Sequence, residues 1–281
     1  MPLISIIVAT RNAAGTLEGC LASIRAQSFR DFELLVIDAG STDGTVPILE
    51  ASGDVVTAWS SAPDSGIYNA WNKAIARARG EWICFLGADD WLWDAAALER
   101  LEPALRQALP RYRVVYSKVR QIDAGGSLVE ELGEPWERAK ASFRAHSCIP
   151  QPGLMHHRSL FEVHGGFDER FALAADYEFL LRELKSRDAL FVPTPTVGMR
   201  YGGRTTSPEN FHRLLRETRQ ILELHGARPP RLRWAYWTAC AWLYVRLRAL
   251  LGDRWARRVA DAYRVISLRK PRYSAVRSGR H

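Results

Sequence analysis

Short apolar runs separated by helical spacings dominate the first ninety residues. Leu3-Ile4-Ser5-Ile6-Ile7-Val8-Ala9 is a β-branched run that stops at the polar Thr10-Arg11-Asn12, and Leu17, Leu21, Ile24 and Phe29 then recur at helical spacing. Phe32–Ile37 reads as a second strand, closed by Asp38-Ala39-Gly40-Ser41-Thr42-Asp43-Gly44. A helix is expected from about Thr45, with Asp43 or Ser41 as its cap. A weaker strand over Val55–Trp59, a helix over about Ile67–Arg79 and a strong strand over Trp82–Leu86 continue the alternation. Near-continuous apolar strands between helices predict β-α-β units and a parallel sheet covered on both faces. Ligands of such sheets bind beyond the carboxyl ends of the strands. Those ends carry Thr10-Arg11-Asn12, Asp38, Asp64 and Asp89-Asp90.

Past Asp94 the pattern loosens. A helix is expected over about Ala95–Leu109 and a strand over Tyr112–Ile122, turned into a short hairpin by Gly125-Gly126. Residues 133–152 read as irregular. Phe179-Leu180-Leu181-Leu184 marks a helix, and Ala189–Val192 a strand stopped by Pro193 and Pro195. Asn210–His225 is an amphipathic helix, and Arg228-Pro229-Pro230 breaks the chain. These signals predict one α/β domain over 1–227, regular over 1–94 and looser over 95–227. A basic helical appendage over 228–281 follows.

The chain has 281 residues, 47% hydrophobic and 25% charged, which excludes wholesale disorder. Its net charge of +8 is unevenly placed. Residues 231–281 hold 13 basic and 2 acidic side chains; the other 230 residues hold 26 and 29. The appendage therefore carries +11 and the body −3. Four isolated cysteines form no zinc or disulfide pattern, so a reducing cytoplasm is expected. The apolar start lacks a basic n-region and does not read as a signal peptide. The uncharged stretch Trp234–Val245 is shorter than the roughly 20 residues that span a bilayer.

Two adjacent acids after an apolar strand suit a hard divalent cation, Mg²⁺ or Mn²⁺, which takes one or two carboxylates plus phosphate oxygens. An Asp pair capping the next helix is the simpler alternative for Asp89-Asp90. Asp38 can accept from a base N–H or close an Asx turn on Ser41. Asn69, Asn72 and Lys73 follow Asp64 at i, i+3 and i+4 and share one helix face. A solvated face leaves two asparagines inside a helix unexplained.

Four segments in this order resemble the inverting GT-A glycosyltransferases of family 2, particularly the bacterial colanic-acid-type subgroup that builds surface polysaccharides. They are Ser5–Asn12, Val36–Thr45, Asp64–Lys73 and Phe85–Asp90. The resemblance is strong over residues 3–94 and looser to about 205, and it implies that 1–94 is the nucleotide-binding half and 95–227 the acceptor half of the domain. It implies a Rossmann-like, mostly parallel sheet with flanking helices, and transfer of a hexosyl group from a nucleotide-sugar, UDP-linked as a family tendency. By the resemblance Thr10, Arg11, Asn12, Asp38 and Asp64 line the nucleotide, with Asn69, Asn72 and Lys73 beside them. Asp90 is the metal ligand and Asp89 faces the ribose or donor sugar.

An inverting transfer also needs a base for the acceptor hydroxyl. Ala174-Ala175-Asp176-Tyr177-Glu178 resembles the family's acidic pair at a helix start, with Ala175 in place of the first acid. Asp176 is the expected base and Glu178 the fallback. Gln151 and one of His156/His157 are candidates for sugar contacts, and Arg204 for the diphosphate.

Between Trp255 and Ile266, aromatic and apolar residues share one helical face and arginines the other. That pattern suits the surface of an anionic membrane, with packing on the body or on a second subunit as the alternative. The expected location is peripheral, on the cytoplasmic face of the plasma membrane, next to a polyprenyl-linked or oligosaccharide acceptor. No nucleic-acid partner is expected, since no recognition motif accompanies the basic tail. A nucleotidyltransferase of similar architecture would want a glycine-rich phosphate loop where Ala9–Ala13 stands. A non-enzymatic adaptor leaves the acids at the strand ends unexplained.

Overall fold

In the computed structural model the opening alternation becomes β1 (Ile4–Thr10), α1 (Ala14–Arg25), β2 (Phe32–Asp38), α2 (Thr45–Glu50), β3 (Ala58–Ser61), α3 (Ile67–Ile75) and β4 (Trp82–Gly87). The structure describes residues 1–123, 125–201, 208–227, 231–252, 255 and 258–259. The expected phosphate contact Arg204 and the chain break at Arg228 lie outside the described residues. β1 pairs in parallel with β2 and β4, and β2 with β3. Ile4, Ile6 and Val8 alternate toward one face, where they join Leu34, Val36 and the α1 residues Leu17, Leu21 and Ile24 in one buried cluster. The intervening Ile7, Leu35 and Ile37 are buried as well, the pattern of a sheet covered on both sides.

The second half follows as β5 (Trp91–Leu92), α4 (Ala97–Ala108), β6 (Val114–Ile122), β7 (Leu128–Leu132), α5 (Trp136–Phe143), β8 (Met155–His157), α6 (Ser159–His164), α7 (Ala175–Leu184), β9 (Leu190–Arg200), α8 (Pro208–Leu224) and α9 (Arg231–Leu251). The strand order is β3-β2-β1-β4-β8-β6-β9-β5, with β7 on β6. β8 is antiparallel to both β4 and β6, so the parallel half passes into an antiparallel one at β8. Helices flank this α/β sheet as expected.

Three expectations change. Pro193 and Pro195 do not stop the strand, because β9 continues to Arg200. The two missing N–H groups are two residues apart and so fall on one edge, while pairing with β5 uses Val197 and Gly198 beyond them. The irregular stretch 133–152 contains α5, which buries Trp136, Ala139 and Phe143 at i, i+3 and i+7. Asp43 serves two helix starts, accepting the Ala14 N–H of α1 (3.0 Å) as well as the Thr45 N–H (3.1 Å).

The chain divides into two compact units, Met1–Arg120 with Leu132–Met199, and Gln121–Glu131 with Arg200–His281. The first carries all the strand ends described below. In the second, α8 and α9 pack on each other, and Ile221 and Leu222 are buried. The expected appendage boundary at 228 falls inside this second unit.

Candidate active site

Register brings the polar strand ends side by side: Thr10 lies opposite Asp38, Asp38 opposite Ser61, and Ala9 opposite Gly87. Asp38 is fully buried. Its carboxylate accepts from Thr10 Oγ1 (2.8 Å), the Ser41 N–H (2.8 Å), Ser41 Oγ (2.5 Å) and Ser61 Oγ (2.6 Å). Burial opposes the charge, but these hydrogen bonds outweigh it and hold Asp38 below the usual carboxylate range. A carboxylate offers about four acceptor positions, and all are used. In this structure Asp38 and Thr10 tie the ends of β1, β2 and β3 together.

Asn12 is tied in the same way. It sits at φ +49°, a conformation asparagine tolerates. Its Oδ1 accepts the Thr42 N–H (3.0 Å), and its own N–H donates to Ser41 Oγ (2.7 Å), which knits the loops after β1 and β2 together. Between these ties Arg11 is exposed and makes no hydrogen bond or ion pair with the described residues.

Asp64 accepts the Gly66 N–H through Oδ1 (3.0 Å) just ahead of α3 and is half-buried. Asn69 and Asn72 make their hydrogen bonds within the protein. Asn69 Nδ2 and Asn72 Nδ2 donate to the two carboxylate oxygens of Glu169 (3.0 and 2.9 Å), and Ser65 Oγ donates to Glu169 as well (3.3 Å). Asn72 also exchanges hydrogen bonds with the Phe167 backbone, donating to its carbonyl (3.0 Å) and accepting its N–H (2.8 Å). The hydrogen bond from Asn72 is the main cause that holds Glu169 below its ordinary value. The unusual pair of asparagines inside a helix is thus a clasp between α3 and the 165–170 turn. Lys73 is exposed, its charge within reach of Glu169.

Asp89 and Asp90 follow β4 in a tight turn, with the Asp90 N–H donating to the Gly87 carbonyl (3.1 Å) and the Gly87 N–H to Asp90 Oδ2 (2.9 Å). A Cβ on Gly87 would stand 2.8 Å from Asp89 Oδ1 and 2.9 Å from Asp90 Oδ2, so glycine leaves room for both carboxyls to converge. Asp89 is exposed and Asp90 buried. Burial first, and the Asp89 charge second, push Asp90 up to about 8. Behind the turn, the Trp91 indole lies where a Cβ on Gly198 would stand, so β9 packs flat against it.

Asp176 occupies the first turn of α7 and is half-buried. Its Oδ1 accepts the Tyr68 hydroxyl (3.0 Å) and the Tyr177 N–H (2.8 Å). Aromatic contacts join α7 to β4 and α3: Phe85 meets Trp71 at 4.6 Å, Trp71 meets Tyr68 at 5.3 Å, and Phe167 meets Phe179 at 5.0 Å. Glu178 is buried and held by Arg182 through both of its oxygens. The two histidines of β8 have different surroundings. His156 is enclosed by Phe85, Phe161, Phe167 and Phe179, and burial lowers it to about 4. His157 pairs with Ser159 Oγ (2.8 Å). The Gln151 Nε2 is buried with no hydrogen-bond partner among the described residues, at a turn whose Gly153 N–H donates to the Phe85 carbonyl (3.1 Å). Tyr68 and Glu169 are the contributors that sequence reasoning missed. The asparagine anomaly marked α3 but not Glu169, and nothing in the pattern separated Tyr68 from core aromatics.

Arg11 and Asp89 are exposed and Asp64 and Asp176 half-buried, while Asp38, Asn12 and Glu169 are engaged in hydrogen bonds between segments. The glycosyl transferase family 2 model matches residues 5–151, just over half the chain. A PGL/p-HBAD biosynthesis glycosyltransferase of Mycobacterium tuberculosis is 32% identical over 185 residues, covering 64% of this chain and 69% of its own length. Among solved structures, S. aureus TarS 1-349 in complex with UDP-GlcNAc superposes with a TM-score of 0.62 at 20% identity, covering 78% of this chain and 66% of its own. The mannosyltransferase PcManGT from Pyrobaculum calidifontis, in complex with GDP-Man and Mn²⁺, gives 0.61 at 18% identity, covering 96% and 81%. The fold is the GT-A fold, and the chain belongs to glycosyl transferase family 2. Its reaction is the transfer of a sugar from a nucleotide-sugar donor.

Proposed function

We propose that this glycosyltransferase inverts the anomeric centre, depends on a divalent cation, takes a UDP-sugar and acts on a polyprenyl-linked or oligosaccharide acceptor at an anionic membrane surface. The observation that carries the reading is the convergence of the Asp89 and Asp90 carboxyls over Gly87. Among the described residues no group of three or more His, Cys, Asp or Glu gathers as a metal site. Two carboxyls, one buried and repelled by the other, fit Mg²⁺ or Mn²⁺ whose remaining ligands are diphosphate oxygens and water. When bound, such a cation neutralises charge developing on the departing diphosphate.

In this reading Arg11 and Asp64 contact the base and ribose, Lys73 and Arg204 the diphosphate, and Asp89 the ribose or donor sugar. Asp176 accepts the proton of the acceptor hydroxyl as its oxygen bonds to the anomeric carbon and the bond to the β-phosphate oxygen breaks. Domain 1–227 performs the transfer, and residues 228–281 hold it to the membrane.

Surface chemistry supports that last step. Tyr236, Trp242, Leu243 and Leu250 of α9 are exposed, as are Trp255 and Val259 beyond it. Arg246 lies 4.9 Å from the Trp242 ring and Arg258 5.1 Å from the Trp255 ring. Exposed aromatics with basic partners suit an interface between acyl chains and anionic headgroups. Among the described residues no helix is long and apolar enough to cross a membrane. Ending the chain at residue 227 is expected to weaken sedimentation with phosphatidylglycerol vesicles at least roughly tenfold, since each basic residue near the surface contributes about 1 kcal/mol. Equal sedimentation by a truncated protein with an intact melting transition assigns the tail to packing instead.

A nucleotide-release assay across UDP-, GDP- and TDP-sugars, with and without Mn²⁺, tests the donor and cation. Release from UDP-sugars that rises with Mn²⁺ is the expected result. Cation-independent release, or preference for another nucleotide, overturns the corresponding part of the reading.

A further inference from the structure

We propose that Tyr68 is a positioning residue for Asp176, and that the Glu169 clasp holds Tyr68 in place. This rests on Asp176 as the base, as proposed above. The Tyr68 ring is buried, packed edge-on against Trp71 and 5.5 Å from Phe167, so its hydroxyl has little rotational choice. That hydroxyl reaches 108 positions along the chain to donate to Asp176 Oδ1 (3.0 Å). The same oxygen accepts the Tyr177 N–H (2.8 Å). Two donors converging on one carboxylate oxygen fix the plane of the carboxyl, one acting from α3 and the other from α7.

The clasp explains why α3 can act as a rigid arm. One residue beyond Tyr68, Asn69 binds Glu169, and one turn beyond it Asn72 binds both Glu169 and the Phe167 backbone. A Cβ on Gly166 would stand 2.5 Å from Asn72 Oδ1, so the turn closes on the asparagine without space to spare. Glu169 lies seven positions before Asp176, so the segment that carries the base is anchored to the helix that orients it. A base must lie within hydrogen-bond reach of the proton it takes, and small displacements of such a group are costly. The pair thus acts on turnover, and the strand-end residues on donor binding.

Tyr68→Phe keeps the ring and removes only the hydroxyl. A hydrogen bond to a charged group makes kcat fall about 10- to 100-fold. KM for the donor and the melting shift produced by UDP with Mn²⁺ are expected to change less than about twofold. Glu169→Gln, which leaves Tyr68 and Asp176 intact, is expected to lower kcat by a smaller factor. In the double variant with Asp176→Asn, Tyr68→Phe is expected to add no further loss, because residues in one network are non-additive. Wild-type kcat in Tyr68→Phe beside an inactive Asp176→Asn overturns the positioning role and leaves the base in place. An active Asp176→Asn removes the base itself. Loss of the nucleotide-induced melting shift in Tyr68→Phe makes the tyrosine structural, and additive losses in the double variant overturn the coupling. If Tyr68→Phe does not fold, the Glu169→Gln variant decides by the same kcat-against-KM comparison, unchanged kcat refuting the proposal.

Discussion

Asp176→Asn is expected to lower sugar transfer by roughly 10²–10⁴-fold, the range a general base supplies, while leaving nucleotide binding nearly intact. Asparagine keeps a carbonyl oxygen for the Tyr68 hydroxyl and the Tyr177 N–H, so α7 should hold its start. It cannot take the proton of an acceptor hydroxyl. Glu178 cannot substitute, because Arg182 occupies both of its oxygens. In the proposed reading donor binding draws on the strand-end loops, whereas Asp176 accepts from Tyr68 and Tyr177. Single-turnover transfer and the UDP-dependent melting shift, read on the same preparation, separate the two effects. Retained transfer removes Asp176 as the base, and a lost melting shift moves it to the donor side.

What was legible in the chain follows from what side-chain pattern encodes. Leu3–Ala9, Phe32–Ile37 and Trp82–Leu86 are strands buried on both faces, and continuous apolar runs report such strands directly. Helix α5 buries only three of its eight residues, and its neighbours gave it no clear bounds. Strand β9 carries two prolines, and their tolerance depended on which edge their missing N–H groups met, a property of pairing rather than of sequence. The candidate site divides in the same way. The polar residues at the strand ends were identifiable, but whether their lone pairs were already used was not. Asp38 and Asp64 look alike as acids after strands. Four hydrogen bonds from three residues fill Asp38, whereas Asp64 receives only the Gly66 N–H among the described residues. Asn69 and Asn72 were anomalous for a helix, which was a sound signal, but their partner Glu169 lies about 100 positions away. Long-range acceptors have no local signature. Tyr68 is the sharper case, since a buried tyrosine beside Trp71 reads as core until its hydroxyl is followed to Asp176.

Asp90→Asn is expected to move activity and stability in opposite directions. Asparagine can still accept the Gly87 N–H, so the turn after β4 survives. It removes the buried carboxylate that would face the cation, and Mn²⁺-dependent transfer should fall at least roughly 10²-fold, as when a group stabilising developing charge is lost. For the metal-free protein, the sign of the stability change follows from the raised value of about 8 against 3.8 for the free carboxyl. The folded chain holds a proton there that the unfolded chain releases. That contribution is complete below 3.8 and lost as pH rises through about 8. Asparagine does not titrate, so the variant should gain on the wild type across this window. Melting without metal should show little difference near pH 4 and an advantage of roughly 5 °C to the variant near pH 8.5, by the usual conversion of a few kcal/mol for a chain of this size. Added Mn²⁺ with UDP should then raise the wild type and leave the variant unchanged. A misfolded variant would lose both activity and stability, so gain in one with loss in the other singles out a carboxylate kept at the cost of stability for the cation it faces. A variant no more stable than wild type at pH 8.5 removes that conflict, and a Mn²⁺ response equal to wild type removes Asp90 as the ligand.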